Sequence, residues 1–227
     1  MKGLMLLSFF WGLFAAKAQT GEELLKGIRQ KLEKVNDYEA DGKLKTNVAF
    51  IKAPVADVKI YYRKPDKMKI VNEKGISFIP QGSLNINLNR LLADASAYQV
   101  IDAGKEPTTG LRILKLLPVD ENADIVLSTL YIDEKNFLVQ KTKNTTRENG
   151  TYELEMTYGK YISFGLPDKV VFTFNIKEYK LPKGVTFEYD DGAEVKKDET
   201  KKNKKGEVEI LYTRYVVNKG IEDSVFK

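Results

Sequence analysis

The sequence predicts an α+β protein in which helices gather on one face of an antiparallel sheet, as an open sheet or a half-closed barrel. Two observations support this class. Some segments repeat apolar residues with a helical period, whereas most of the chain alternates apolar and polar residues as strands do. The 227 residues include no cysteine, so we expect one domain held by an apolar core and not by disulfides.

The first eighteen residues have the pattern of a secretory signal peptide. A lysine at position 2 precedes the apolar run Leu4–Phe14, which is too short to span a bilayer. Ala16-Lys17-Ala18 then provides a cleavage site with small residues. We therefore expect cleavage after Ala18 and a single domain over residues 19–227. Because Gln19 and not a cysteine would come first, we expect a soluble periplasmic protein without a lipid anchor.

An amphipathic helix is predicted at the start of this domain. Thr20 and Glu23 match a capping box. The apolar stripe that follows ends near Asn36 and consists of Leu24, Ile28, Leu32 and Val35. This stripe would pack one side of the helix on a core.

Two further helices are predicted in the middle of the chain. Residues with helical spacing predict the second, at Leu84, Leu88, Leu91, Leu92 and Ala95. A shorter third helix is predicted from Leu111, Leu114 and Leu117, which precede Pro118.

The remaining segments alternate with a period of two and predict antiparallel strands. Before the helical insert the alternating apolar residues are Val58, Ile60, Tyr62, Met68 and Ile70. After it they include Leu130, Ile132, Tyr152, Leu154, Met156, Tyr158, Phe172, Phe174 and Ile176.

Turn signals separate these strands. Pro65-Asp66 and the tetrad Asp133–Asn136 mark two turns, with Phe137 expected to start the return strand. Asn149-Gly150 is a strong hairpin signal. Residues 190–206 form a charged segment, which we interpret as a solvated loop. The alternating strand Val208–Val217 is then expected to rejoin the sheet.

The composition excludes several kinds of function. Without histidine or cysteine, neither Ser-His-Asp nor Cys-His catalysis is possible, nor is a histidine-ligated zinc site. The carboxylate pairs Asp120-Glu121, Asp133-Glu134 and Asp190-Asp191 lie in turn-like contexts, so a carboxylate-based glycan hydrolase is a minor alternative. The formal charge of +5 gives no reason to expect a nucleic acid partner. We expect no metal, no cofactor and no enzymatic activity.

The apolar face of the sheet leaves two interpretations open. If the helices pack tightly on it, the result is an ordinary core. If they pack loosely, the result is an apolar cavity with a movable helical cover.

Several short stretches resemble the periplasmic lipoprotein carriers of the LolA type and related outer-membrane lipoprotein-sorting proteins. They are Tyr61–Met68, with its basic residues before Pro65, the stretch Leu130–Asp133 with its return strand, and Leu166-Pro167-Asp168 leading into Phe172-Thr173-Phe174. The similarity extends over roughly residues 20–190.

This resemblance implies an unclosed antiparallel β-barrel with amphipathic helices over its concave apolar face. It also implies a carrier that shuttles acyl chains of lipoproteins or lipids toward the outer membrane. The expected partners are an inner-membrane release complex and an outer-membrane acceptor, and the protein is expected to be a monomer. An envelope sensor or scaffold of the same fold, without lipid cargo, remains an alternative.

Three groups of residues take roles from the resemblance. The expected cavity lining is Ile60, Tyr62, Met68, Ile70, Leu130, Ile132, Leu154, Met156, Phe172 and Phe174. The expected helical cover, or lid, is Leu24, Ile28, Leu88, Leu91, Leu92, Leu111 and Leu114. A basic residue before the proline would fasten this lid to helix backbone. Arg63 and Lys64 are both candidates, and only one can point inward because successive strand residues face opposite sides.

Overall fold

One long antiparallel sheet dominates the fold. The computed structural model describes residues 19–47, 55–72, 88–92, 94–175 and 205–226. The predicted signal peptide, Leu84, Ile176 and nearly all of the charged segment lie outside these residues. Within them no helix has the length and apolar character that crossing a membrane requires.

The first helix, α1, begins and ends as its sequence dictates. It spans Gly21–Leu32, and the Thr20 hydroxyl and the Glu23 carboxylate form the predicted capping box. Val35 lies beyond the helix end, so the helix is one turn shorter than its apolar stripe suggested. A second helix, α2, covers the five residues Leu88–Leu92.

Ten strands follow one another in the sheet order β3-β2-β1-β10-β9-β8-β7-β6-β5-β4, and each pair of neighbours in this order is antiparallel. Their bounds are β1 Asp37–Asn47, β2 Ala56–Arg63, β3 Lys67–Asn72, β4 Tyr98–Lys105, β5 Arg112–Pro118, β6 Ile125–Asp133, β7 Leu138–Thr146, β8 Thr151–Thr157, β9 Lys169–Asn175 and β10 Lys205–Val217. The last strand rejoins the sheet as predicted, between β1 and β9. The edge strands β3 and β4 do not pair with each other in the described part of the chain, so the sheet is unclosed.

The predicted third helix is wrong. Residues 112–118 form strand β5, which pairs with β4 and β6. Leu114 and Leu116 face the core two positions apart, which is strand spacing. The leucines at positions 111, 114 and 117 imitate a helical repeat by coincidence, and pairing on both sides decides the conformation. Strand β4 was also not predicted.

Two turns differ from their sequence signals. Phe137 does not start the return strand. It lies in the turn before β7 with a positive φ of 52°. The β7–β8 loop covers residues 147–150, longer than a two-residue hairpin, with Gly150 at φ 67°.

Buried apolar side chains of the sheet form two clusters. Strands β1, β2, β8, β9 and β10 contribute to the first, here called the tyrosine-rich cluster, whose aromatic members are Tyr38, Tyr62, Tyr152, Phe172, Phe174 and Tyr215. Helix α1 lies on the second, here called the helix-covered cluster, consisting of Leu24, Leu25, Ile28, Leu91, Leu92, Leu114, Leu116, Leu130, Ile132, Val139 and Met156. Cover by several long helices is not confirmed, since α1 is the one helix longer than five residues in the described part of the chain.

Candidate apolar binding face

The residues predicted to line a cavity share one face of the sheet. Eight of them are buried, in the two clusters: Ile60, Tyr62, Leu130, Ile132, Leu154, Met156, Phe172 and Phe174. Met68 and Ile70 of β3 are half-buried against the tyrosine-rich cluster. The fold thus brings together the side chains that the alternating pattern predicted, in two clusters, and α1 packs on those of the helix-covered cluster.

The residues predicted to form the lid divide into two groups. Leu24 and Ile28 of α1 are almost fully buried, and Leu91 and Leu92 of α2 join them, with Leu88 half-buried at the margin. The other two predictions are wrong. Leu114 belongs to the floor under the helix, where its side chain lies 3.2 Å from the position of a Cβ on Gly21. Leu111 lies in the β4–β5 turn and its carbonyl accepts the Glu106 N–H.

The turn between β6 and β7 holds the middle of helix α1. The Phe137 ring lies directly over Gly27, where any Cβ would come within 2.3 Å of the ring atom Cδ1. The Lys31 ammonium donates to the Asn136 carbonyl in the same turn. Burial lowers the pKa of Lys31, and Lys34 nearby lowers it further. Sequence analysis missed this contact, because nothing local links residues more than a hundred positions apart.

The two basic residues before Pro65 make different contacts. Lys64 Nζ donates to the Glu33 carbonyl at 2.7 Å, at the end of helix α1. Arg63 turns instead toward the C-terminal segment, where Nη1 donates to the Ile221 carbonyl at 2.7 Å and the guanidinium pairs with Asp223. Lys64 therefore has the hydrogen bond to helix backbone that was expected of one of the two.

The tyrosine-rich cluster lies next to this contact. The ring centroid of Tyr38 is 5.2 Å from that of Tyr62 and 5.3 Å from that of Tyr215. The Tyr215 hydroxyl donates to the Pro167 carbonyl at 2.8 Å. Burial raises the pKa of Tyr38 and of Tyr215 far above the usual range, so both phenols stay neutral at any physiological pH.

The described carboxylate pairs serve turns. Asp133 accepts hydrogen bonds from the backbone and side chain of Asn136, and Glu134 pairs with Lys105 at 2.5 Å. Asp120 accepts from the Asn122 N–H. Asp190-Asp191 lies outside the described residues. No group of three potential metal ligands lies together in the described part of the chain.

The fold of this chain, an unclosed antiparallel sheet whose apolar face carries one amphipathic helix in the described part, is similar to that of several solved structures. An outer membrane lipoprotein-sorting protein domain from Vibrio parahaemolyticus has a TM-score of 0.56 and 12% identity, over 90% of this chain and 94% of that chain. A LolA superfamily protein from Nitrosomonas europaea has a TM-score of 0.55 and 10% identity, over 89% of this chain and 97% of that one. A DUF1329 family protein from Desulfovibrio piger has a TM-score of 0.57 and 12% identity, over 90% and 95%.

These likenesses show the fold alone. They agree with the unclosed antiparallel sheet that the sequence resemblance implied, whereas the cover by several helices is not confirmed. No family model and no curated protein matches the sequence.

Proposed function

We propose that this protein is a periplasmic carrier that binds an acyl chain of a lipoprotein or lipid between helix α1 and the sheet. The observation that carries the proposal is the way α1 is held. Its apolar side chains cover the floor of the helix-covered cluster. In the described part of the chain its polar attachments are the hydrogen bonds from Lys31 and Lys64 described above, with one more from Asn218 to the Lys34 carbonyl just beyond the helix end. Such a helix can leave the sheet without breaking a β-ladder.

The energies fit reversible binding. A sixteen-carbon acyl chain gains on the order of 12 kcal/mol on full burial, at about 0.8 kcal/mol per methylene. Leu24, Leu25 and Ile28 are each less than 5% exposed, and displacing them gives up about 5–9 kcal/mol at ~1.5–3 kcal/mol per side chain. The chain therefore gains only the difference, so cargo binds and is also released.

In this proposal the buried apolar face is the empty, closed state. Lys64 is the residue that fastens the lid, and Arg63 orders the C-terminal segment. The protein would be a monomer, exported with cleavage after Ala18, that receives cargo from an inner-membrane complex and delivers it to an outer-membrane acceptor. It would carry out no chemical reaction.

The absence of native cysteine allows a direct test of lid opening. A Cβ on Gly27 would lie 3.0 Å from Cγ of Phe137, so the Cβ atoms of a Gly27→Cys/Phe137→Cys pair fall within about 4.5 Å, the range a disulfide needs. The oxidised pair should lose binding of a fluorescent acyl probe, and reductant should restore it. The two single-cysteine variants control for the substitutions themselves. Equal binding by the oxidised and reduced pair would exclude this lid.

Cargo is tested separately on the wild-type chain. Mass spectrometry of protein purified from a periplasmic extract should find co-purified lipid or acylated peptide. If the purified protein contains no lipid and binds no acyl probe, the carrier proposal is contradicted, and a sensor or scaffold of the same fold is favoured.

A further inference from the structure

Three polar side chains lie fully buried on the apolar face. Ser128 of β6 and Thr142 and Asn144 of β7 each have 0% of their surface exposed. Ser128 Oγ lies 2.6 Å from Asn144 Oδ1, and Asn144 Nδ2 lies 2.9 Å from Thr142 Oγ1. We call these three residues the polar seam.

The strand register places the polar seam between the two apolar clusters. Asn144 is opposite Tyr152 of the tyrosine-rich cluster on one side and opposite Ser128 on the other. Ser128 is in turn opposite Leu116 of the helix-covered cluster. A ligand lying across the apolar face from one cluster to the other would therefore pass over the seam.

Two hydrogen-bond donors of the polar seam have no acceptor within the seam. Two hydroxyls and one amide carry four polar hydrogens, and the two bonds within the seam use two of them. The same number remains if the amide is flipped, because each bond still uses one hydrogen. No acceptor for the other two is found among the described residues. Buried donors without acceptors are rare and destabilising, so these two call for an acceptor that is not part of the described chain.

We propose that the polar seam binds the carbonyl oxygen of an acyl ester or amide, and so sets where along the apolar face the acyl chain begins. Two neutral donors match a neutral carbonyl oxygen, which has two lone pairs. A carboxylate or phosphate fits poorly, since no lysine or arginine is buried in the described part of the chain and an unpaired anion would be strongly destabilised there. This inference rests on the proposed carrier function and specifies which part of the cargo is recognised.

The test compares lipids that differ in the linkage alone. Monopalmitoylglycerol has an ester carbonyl, and monohexadecylglycerol has the same chain and headgroup joined by an ether. The palmitoyl amide of aminopropanediol completes the set and separates ester from amide recognition. Wild-type protein should bind the ester or the amide about tenfold more tightly than the ether, which corresponds to 1.4 kcal/mol.

A seam variant should remove this preference. Ser128→Ala/Thr142→Val/Asn144→Leu replaces polar groups by apolar ones of similar shape, which buried sites tolerate. It should bind ester and ether equally, with affinity for the ether no lower than wild type. Thr129→Val is the matched control, since Thr129 is also buried in β6 but points to the opposite face.

The outcomes separate this inference from the carrier proposal. If the wild-type chain binds the three lipids equally, the polar seam does not recognise a carbonyl oxygen, and the carrier proposal still stands. If it binds none of them, both proposals fail. The wild-type comparison needs no variant, so a seam variant that does not fold leaves the inference open to refutation.

Discussion

The contact between Gly27 and Phe137 gives the sharpest prediction about how helix α1 is held on the sheet. Replacing glycine by alanine inside a helix normally stabilises it by about 1 kcal/mol, because alanine loses less backbone entropy on folding. At Gly27, however, the added methyl would overlap the Phe137 ring at 2.3 Å. Overpacking of this kind costs about 1–3 kcal/mol. Two effects of opposite sign therefore compete at one position.

The structure fixes which effect wins in each background. In the wild-type chain we expect Gly27→Ala to lower the free energy of unfolding by about 1 kcal/mol, the clash at ~2 outweighing the gain at ~1. In a Phe137→Ala chain the ring is absent, and the same substitution should raise the free energy of unfolding by about 0.5–1 kcal/mol. The double-mutant cycle then has a coupling energy of about 2 kcal/mol.

Urea unfolding of the four proteins, followed by circular dichroism, measures these differences. Gln30→Ala is the control, because Gln30 is an exposed position of the same helix and should behave alike in both backgrounds. Stabilisation by Gly27→Ala in both backgrounds would show that the Phe137 ring does not rest on the helix. The lid contact would then have to be abandoned.

Three further substitutions test the surroundings of the lid. Lys64→Met removes the donor to the Glu33 carbonyl, so hydrogen exchange in the last turn of α1 should accelerate while the free energy of unfolding falls by at most about 1 kcal/mol. Lys67 is the control, because its ammonium pairs with Asp223, and Lys67→Met should leave that exchange unchanged. Equal effects of the two substitutions would contradict the role of Lys64. Burial raises the pKa of Tyr38, so its neutral phenol stabilises the fold fully below the pKa of tyrosine in the unfolded chain, about 10, and less as pH rises above it. Tyr38→Phe should therefore make the fall of the unfolding free energy at alkaline pH shallower. An unchanged slope would count against a raised pKa of Tyr38. Asn218 has a φ of 57°, and its side-chain amide donates to the Lys34 carbonyl at 2.7 Å. In chemical denaturation Asn218→Ala should be less stable than Asn218→Gly by about 1 kcal/mol, because only alanine is strained at positive φ. Equal stability of the two variants would mean that the backbone relaxes at this position.

Period-two alternation was enough to place most of the apolar face. Tyr152, Leu154, Met156 and Phe174 each lie between polar neighbours, and a strand that buries one face leaves no other arrangement for them. The capping box at Thr20 likewise fixed the start of α1, since its hydrogen bonds are local. The alternation failed at the polar seam: Thr142 and Asn144 alternate with lysines, so both faces of β7 are polar in the sequence and the buried one has no apolar signature.

The absence of histidine and cysteine excluded whole classes of catalysis. The sequence was also enough to predict the strand-rich class, the capped helix and its apolar stripe. These properties depend on composition and on contacts within a few residues. The tertiary structure alone decided that residues 112–118 are a strand, that Lys64 and not Arg63 bonds to helix α1, and that Phe137 rests on Gly27. Each of these depends on pairing between residues distant in the chain, whose energies exceed the local preferences from which sequence periodicity is read.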